Sequence, residues 1–161
     1  MSGDEGPLPS SCSSTYLEFD AFLSFKQEDT GDLLAGLLYE ALVDRGVLTV
    51  FDEEDAKKEE NINRLLTCIE VSKVFVPIFS INYAQSRWCL QEIAKMVECR
   101  RCIVPVFLGV DPSEVRYQTG TYGSYFAHHE VYESEEEVEK WRQALNEAGS
   151  YPGFHFSKEI D

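Results

Sequence analysis

Phe75-Val76-Pro77-Ile78-Phe79-Ser80, running on through Tyr83 to Ser86-Arg87-Trp88-Cys89-Leu90-Gln91-Glu92, is the stretch that decides the fold. The segment Val74–Phe79 is apolar on both faces, as a central parallel strand requires. A short loop follows and opens a helix. Trp88 and Glu92 stand four residues apart, so they share one helix face and can both look toward the end of that strand. In open α/β sheets, ligands bind at the carboxyl ends of the strands. A carboxylate and a flat indole placed there suit a ribose and a base.

Working outward, Phe19–Phe25 predicts a first strand and Asp32–Arg45 a helix. In that helix Leu33, Leu34, Leu37, Leu38, Ala41 and Leu42 follow the spacing of a buried face, and Gly46 stops it. Val47–Phe51 predicts a second strand, Asp52–Glu60 a charged loop, and a helix runs from about Ile62 to Glu70. Downstream, Leu90–Arg100 reads as a helix and Ile103–Leu108 as a fourth strand. Asp111-Pro112-Ser113 looks like a turn opening a short helix. Glu135–Ala148 is helical with Val138, Trp141, Ala144 and Leu145 inside, and Phe154-His155-Phe156 is a short fifth strand.

Strands alternating with helices argue for a parallel sheet with right-handed crossovers, hence a doubly wound α/β fold of about five strands. Residues 1–15 are rich in Ser, Pro and Gly without periodicity and read as a flexible leader. The domain is expected over 16–157 and a tail over 158–161, where a layered α/β domain would place one more helix. That final helix is expected to be missing, as in an excised fragment.

The 161 residues suffice for one domain with a core. Fourteen Lys and Arg against 29 Asp and Glu give a net charge of −15, which would repel a phosphate backbone and disfavours nucleic acid as a partner. No apolar run approaches the roughly 20 residues of a membrane span, and no signal peptide opens the chain, so the sequence reads as cytoplasmic, with no membrane partner. The cysteines (Cys12, Cys68, Cys89, Cys99, Cys102) are odd in number and suit reduced packing thiols.

Familiar nucleotide and nucleophile motifs are absent. No Gly-x-Gly-x-x-Gly follows the first strand, and no P-loop or Gly-x-Ser-x-Gly exists. Where a phospho-accepting Asp would end the third strand, Ser80 stands. Cys99-Arg100-Arg101-Cys102 sits where a helix leaves for a strand, the reverse of a thioredoxin-like pair. A zinc site there would need two more ligands, for which His128-His129 are the candidates in type. Packing is the favoured role, and no metal site is expected.

Phe22-Leu23-Ser24-Phe25-Lys26-Gln27-Glu28-Asp29-Thr30, Leu38-Tyr39-Glu40-Ala41-Leu42, Ser86 to Glu92, and Val110-Asp111-Pro112-Ser113-Glu114-Val115-Arg116-Tyr117-Gln118-Thr119-Gly120 carry a family signature. In this order and spacing they closely resemble a plant TIR (Toll/interleukin receptor) domain, over about residues 17–156. The resemblance implies a flavodoxin-like three-layer sandwich and a role in plant innate immunity, at the front of intracellular nucleotide-binding, leucine-rich-repeat resistance receptors. It further implies that assembled domains cleave NAD+, as substrate and not as cofactor, at the nicotinamide–ribose bond. Other TIR domains would be partners, with a pathogen effector as a further one.

By the same resemblance the catalytic glutamate falls on Glu92. The nucleotide-contacting segment falls on Lys26, Gln27, Glu28, Asp29, Thr30 and Gly31. The family's mobile loop falls on Asp52 to Glu60 and includes Glu59, while Ser86 and Trp88 complete the substrate-binding set. The chemistry agrees. Breaking the ribosyl bond builds positive charge on the sugar, which a carboxylate beneath the ribose offsets. Nicotinamide leaves neutral, so one carboxylate suffices. Blander roles stand beside these: Glu92 pairing with Lys95 on a solvated helix face, Trp88 as a lid over the sheet edge, and Lys26 as a surface lysine.

This chain departs from the family at several of these positions. Lys26-Gln27 replaces Arg-Gly after the first strand, Gly31 replaces an Arg, and Lys58-Glu59 replaces Arg-Gly in the mobile loop. Lysine gives up bidentate recognition, and Gln27 needs more room than glycine. Gly36-Leu37 replaces a Ser-His pair that the family uses for self-association. Two functions therefore stand side by side: an NAD+-cleaving enzyme activated by association, and a TIR interaction module with little or no catalysis.

Overall fold

The computed structural model describes residues 16–51 and 58–157. The predicted leader, the predicted tail and residues 52–57 of the predicted charged loop lie outside them. In chain order the elements are β1 (Phe19–Ser24), α1 (Gln27–Thr30), α2 (Gly36–Asp44), β2 (Thr49–Phe51), α3 (Lys58–Glu70), β3 (Ser72–Phe79), α4 (Arg87–Cys99), β4 (Cys102–Ile103), β5 (Val106–Leu108), α5 (Pro112–Tyr117), α6 (Gly120–Tyr132), α7 (Glu135–Ala148) and β6 (Phe154–Phe156). A π-helical turn, Gly31–Ala35, joins α1 to α2, and a 3-10 turn, Tyr83–Gln85, leads from β3 toward α4.

All strand pairs are parallel, in the order β2-β1-β3-β5-β6 with β4 also on β3. Counting β4 and β5 as one interrupted strand gives the flavodoxin-like order, whose direction reverses between β1 and β3. Strand parity sorts the core into two layers. Phe22, Phe75, Phe79 and Phe107 face α3, α4 and α7, whereas Leu23, Val76, Ile78 and Val106 meet Leu34, Leu38, Tyr39 and Leu42 on or near α2. Helices on both faces of one sheet make the expected three-layer sandwich.

Several expectations change. Leu33 and Leu37 are not inside but half exposed, at 50% and 57%. The π turn holds one residue more per turn than an α-helix, which resets the helical phase. The stripe narrows to Leu34, Leu38 and Leu42, with Ala35 buried beside it. The single strand predicted over Ile103–Leu108 is broken at Val104-Pro105, because proline cannot donate to the ladder. Pro105 O instead accepts from Phe154 N at 3.0 Å. The approach is so close that a Cβ on Gly153 would lie 2.1 Å from that oxygen. The third change is α6, for which the sequence reading offered no helix.

Predicted helices also begin early: α3 already includes Lys58–Glu60, and α4 starts at Arg87. Cys68, Cys89 and Cys102 are free thiols, as expected. Cys99 is disulfide-bonded, against that expectation, and nothing among the described residues explains the bond.

Candidate functional site

The candidate site lies where the strand order reverses, at the carboxyl ends of β1 and β3, which run side by side with Ser24 opposite Pro77. Ser24 shares the parity of Phe22, so it faces the α4 layer. Ser86 caps α4 by accepting from Cys89 N at 3.1 Å, which fixes the direction of the helix. Glu92, in the second turn, then reaches back under the sheet end. It is 1% exposed, and its Oε1 accepts from Ser24 Oγ at 2.6 Å. Lys95 reaches Glu70 Oε2 at 2.7 Å and Glu98 Oε1 at 3.8 Å. The solvated-face role for Glu92 is therefore wrong: the acid points into the protein.

Tyr83 completes this polar pocket. Its Oη lies 2.7 Å from Ser24 Oγ and 3.3 Å from Cys89 O. Burial pushes its phenol well above the usual range, and the nearby Cys89 and Glu92 add to the shift while the Ser24 hydrogen bond opposes it.

The segment after β1 forms the other wall. Lys26 is largely buried and its Nζ lies 3.5 Å from Glu28 Oε1, while the Glu28 side chain is mostly exposed. Gln27 is half buried with its Oε1 turned inside. Thr30 is buried and donates to Lys26 O at 3.4 Å. Gly31 opens the π turn.

Asp29 is a brace between the walls. Its carboxylate accepts from Ser80 Oγ (2.6 Å), Asn82 N (2.8 Å) and Asn82 Nδ2 (2.9 Å). Asn82 Oδ1 in turn accepts from Tyr125 Oη, and Ser80 O from Tyr122 Oη at 2.7 Å. Removing one acceptor would thus leave three donors unmatched. We expect Asp29→Ala to lower the unfolding free energy by about 1–3 kcal/mol, read from urea denaturation. A loss below about 0.5 kcal/mol would show that water replaces the brace.

The structure brings together Lys26, Gln27, Asp29, Thr30, Ser86 and Glu92 at one sheet end. It places Trp88 differently from a bare stacking plate: the Arg87 guanidinium lies 4.6 Å from its ring centre, and the same guanidinium binds Glu133 through Nε at 3.1 Å and a terminal nitrogen at 3.3 Å. Trp88 is half buried under that cover. Glu59 falls in the first turn of α3, with its side chain outside the described residues. Among the described residues no group of three or more His, Cys, Asp or Glu could hold a metal, and no helix is long and apolar enough to cross a membrane.

Sequence reasoning missed Ser24, Tyr83 and the Asp29 acceptors' partners. One signal was available: Ser24 is a hydroxyl at a strand position whose parity points inward, where an apolar residue would otherwise sit.

The family model for the TIR domain matches residues 18–160. The chain is 40% identical over 153 residues to TMV resistance protein N of Nicotiana glutinosa, covering 91% of this chain and 13% of that protein. It is 42% identical over 141 residues to disease resistance protein RPV1 of Vitis rotundifolia, covering 85% of this chain and 10% of the relative. It thus spans only a small fraction of the length of these relatives. The TIR domains of the activated Roq1 resistosome, a structure described as directly recognising the pathogen effector XopQ, superpose with a TM-score of 0.76 at 37% identity, over 86% of this chain and 87% of that one. Sequence and fold agree with these proteins over most of the chain, which belongs to the TIR-domain family, in the branch found in plant disease-resistance proteins.

Proposed function

We propose that this domain cleaves NAD+ at the nicotinamide–ribose bond as the signalling step of a cytoplasmic plant immune receptor, with Glu92 as the catalytic residue. One observation supports the reading above the others: a carboxylate that faces inward at the strand-order reversal, served by a hydroxyl and set on a capped helix. In the reaction the C1′–N bond breaks and its electron pair leaves with neutral nicotinamide. The ribosyl cation is steadied by Glu92, then water adds to C1′ and loses a proton to give ADP-ribose. Lys26, at the rim, supplies positive charge toward the pyrophosphate, and the α1 turn and Asp29 hold that rim against the β3 loop.

At 1% exposure the Glu92 carboxylate is closed to a ribose, so turnover requires the crevice to open. We assign that opening to association with other TIR domains, by analogy with the resistosome whose TIR domains this chain matches. Nicotinamide release from concentrated or artificially oligomerised protein should therefore rise more steeply than in proportion to protein. Association without any nicotinamide release would retire the enzyme and leave an interaction module.

A further inference from the structure

Ser24, Tyr83 and Glu92 are all at or below 1% exposure. A carboxylate and two hydroxyls are costly to bury unless they satisfy one another. Here they form a chain. Ser24 Oγ donates to Glu92 Oε1 at 2.6 Å, and a serine has a single hydroxyl proton to give. The 2.7 Å contact between Ser24 Oγ and Tyr83 Oη must then carry the tyrosine's proton. The Tyr83 phenol keeps that proton, because burial holds its titration far above neutrality. The other acceptor within reach of Tyr83, Cys89 O, lies farther away at 3.3 Å.

Resting on the reading of Glu92 as the acid beneath the ribose, we infer that Ser24 and Tyr83 are its positioning residues, fixing the plane of the carboxylate through the donor chain Tyr83 to Ser24 to Glu92. Neither hydroxyl is assigned a contact with substrate. Each link polarises the next, and the chain ties three separate elements together: the end of β1, the 3-10 turn after β3, and α4. The chain acts in the transition state, when charge appears on the sugar, more than in the ground state. Its loss should therefore fall on kcat.

Three variants test this by kinetics. Ser24→Ala should lower kcat for nicotinamide release about ten- to a hundredfold, the value of a hydrogen bond to a charged group, with KM within about twofold of the original. Ser24→Thr keeps the hydroxyl and should restore most of the rate. Tyr83→Phe removes only the outer link and should cost less than Ser24→Ala. It also serves as the second probe should Ser24→Ala fail to fold.

A measurement without turnover separates this inference from the enzyme reading. With 13C-labelled glutamate and no NAD+ present, the Glu92 carboxyl resonance should move in Ser24→Ala and Tyr83→Phe and stay near its place in Ser24→Thr. If the unmodified protein releases no nicotinamide at any concentration, the enzyme reading falls, and the resonance alone decides whether the chain orients Glu92. Wild-type kcat in folded Ser24→Ala, or an unmoved resonance, overturns the positioning role.

Discussion

Glu92→Ala should reduce nicotinamide release by about a hundred- to a thousandfold, the range seen when a preorganised group facing developing charge is deleted. The alanine leaves the crevice shape open but removes the negative charge and the acceptor of Ser24. Glu92→Gln separates those two losses, because the amide oxygen can still accept from Ser24 Oγ while carrying no charge. The amide should therefore fold with the Ser24 contact kept and still lose most of the activity. Glu92→Gln should change stability little, since it keeps the volume and the acceptor of Ser24 and removes only a buried charge, whereas Glu92→Ala should lose about 1–3 kcal/mol because it leaves the buried Ser24 hydroxyl unmatched and empties its site. The informative result is thus a Glu92→Gln rate that collapses while its denaturation midpoint does not. Folded Glu92→Gln that turns over NAD+ as fast as the parent would remove Glu92 from the catalytic role.

The sequence could place Glu92 near the sheet end but could not say which way it pointed. Helix spacing puts Trp88 and Glu92 on one face, yet Trp88 ends up beneath Arg87 while Glu92 goes inside. The difference comes from the clasp between Arg87 and Glu133, two residues 46 positions apart, which no local pattern announces. The central strands β1 and β3 were legible because their apolar runs end buried on both faces, and α7 because its inner positions repeat cleanly. The α2 stripe was misread since a π turn shifts phase without any change of composition.

Helix α6 was overlooked for a related reason. Gly120 and Gly123 weaken its propensity, and its apolar residues are spread round the cylinder. Its buried members, Tyr122, Phe126 and His129, do follow a four-then-three spacing. They are aromatic, and each has work outside the helix: Tyr122 donates to Ser80 O, and the His129 ring reaches Ala84 O at 2.9 Å. The site's second layer is thus built from a helix whose reason for existing lies in tertiary contacts. Local propensity is a poor guide in such a place.

That second layer makes Trp141 the residue whose loss should cost the fold most. Its indole is fully buried, and it meets the His129 ring at 5.3 Å and 76°. Trp141→Ala should destabilise the domain by about 3–5 kcal/mol, the usual cost of emptying an aromatic site in a core. Trp141→Phe should cost far less, because the indole N–H is buried without an acceptor among the described residues and its removal relieves a polar group. The effect should also travel. With the indole gone, His129 loses its packing neighbour and its grip on Ala84 O, in the turn just ahead of the Ser86 cap. Below its unfolding temperature, Trp141→Ala should therefore lose nicotinamide release as well as stability, whereas Trp141→Phe should keep both. Urea denaturation followed by turnover on the same samples checks the pair. Equal stability losses for the two substitutions would show that the void is refilled and that the core does not hold the helix carrying Glu92 in the way these contacts require.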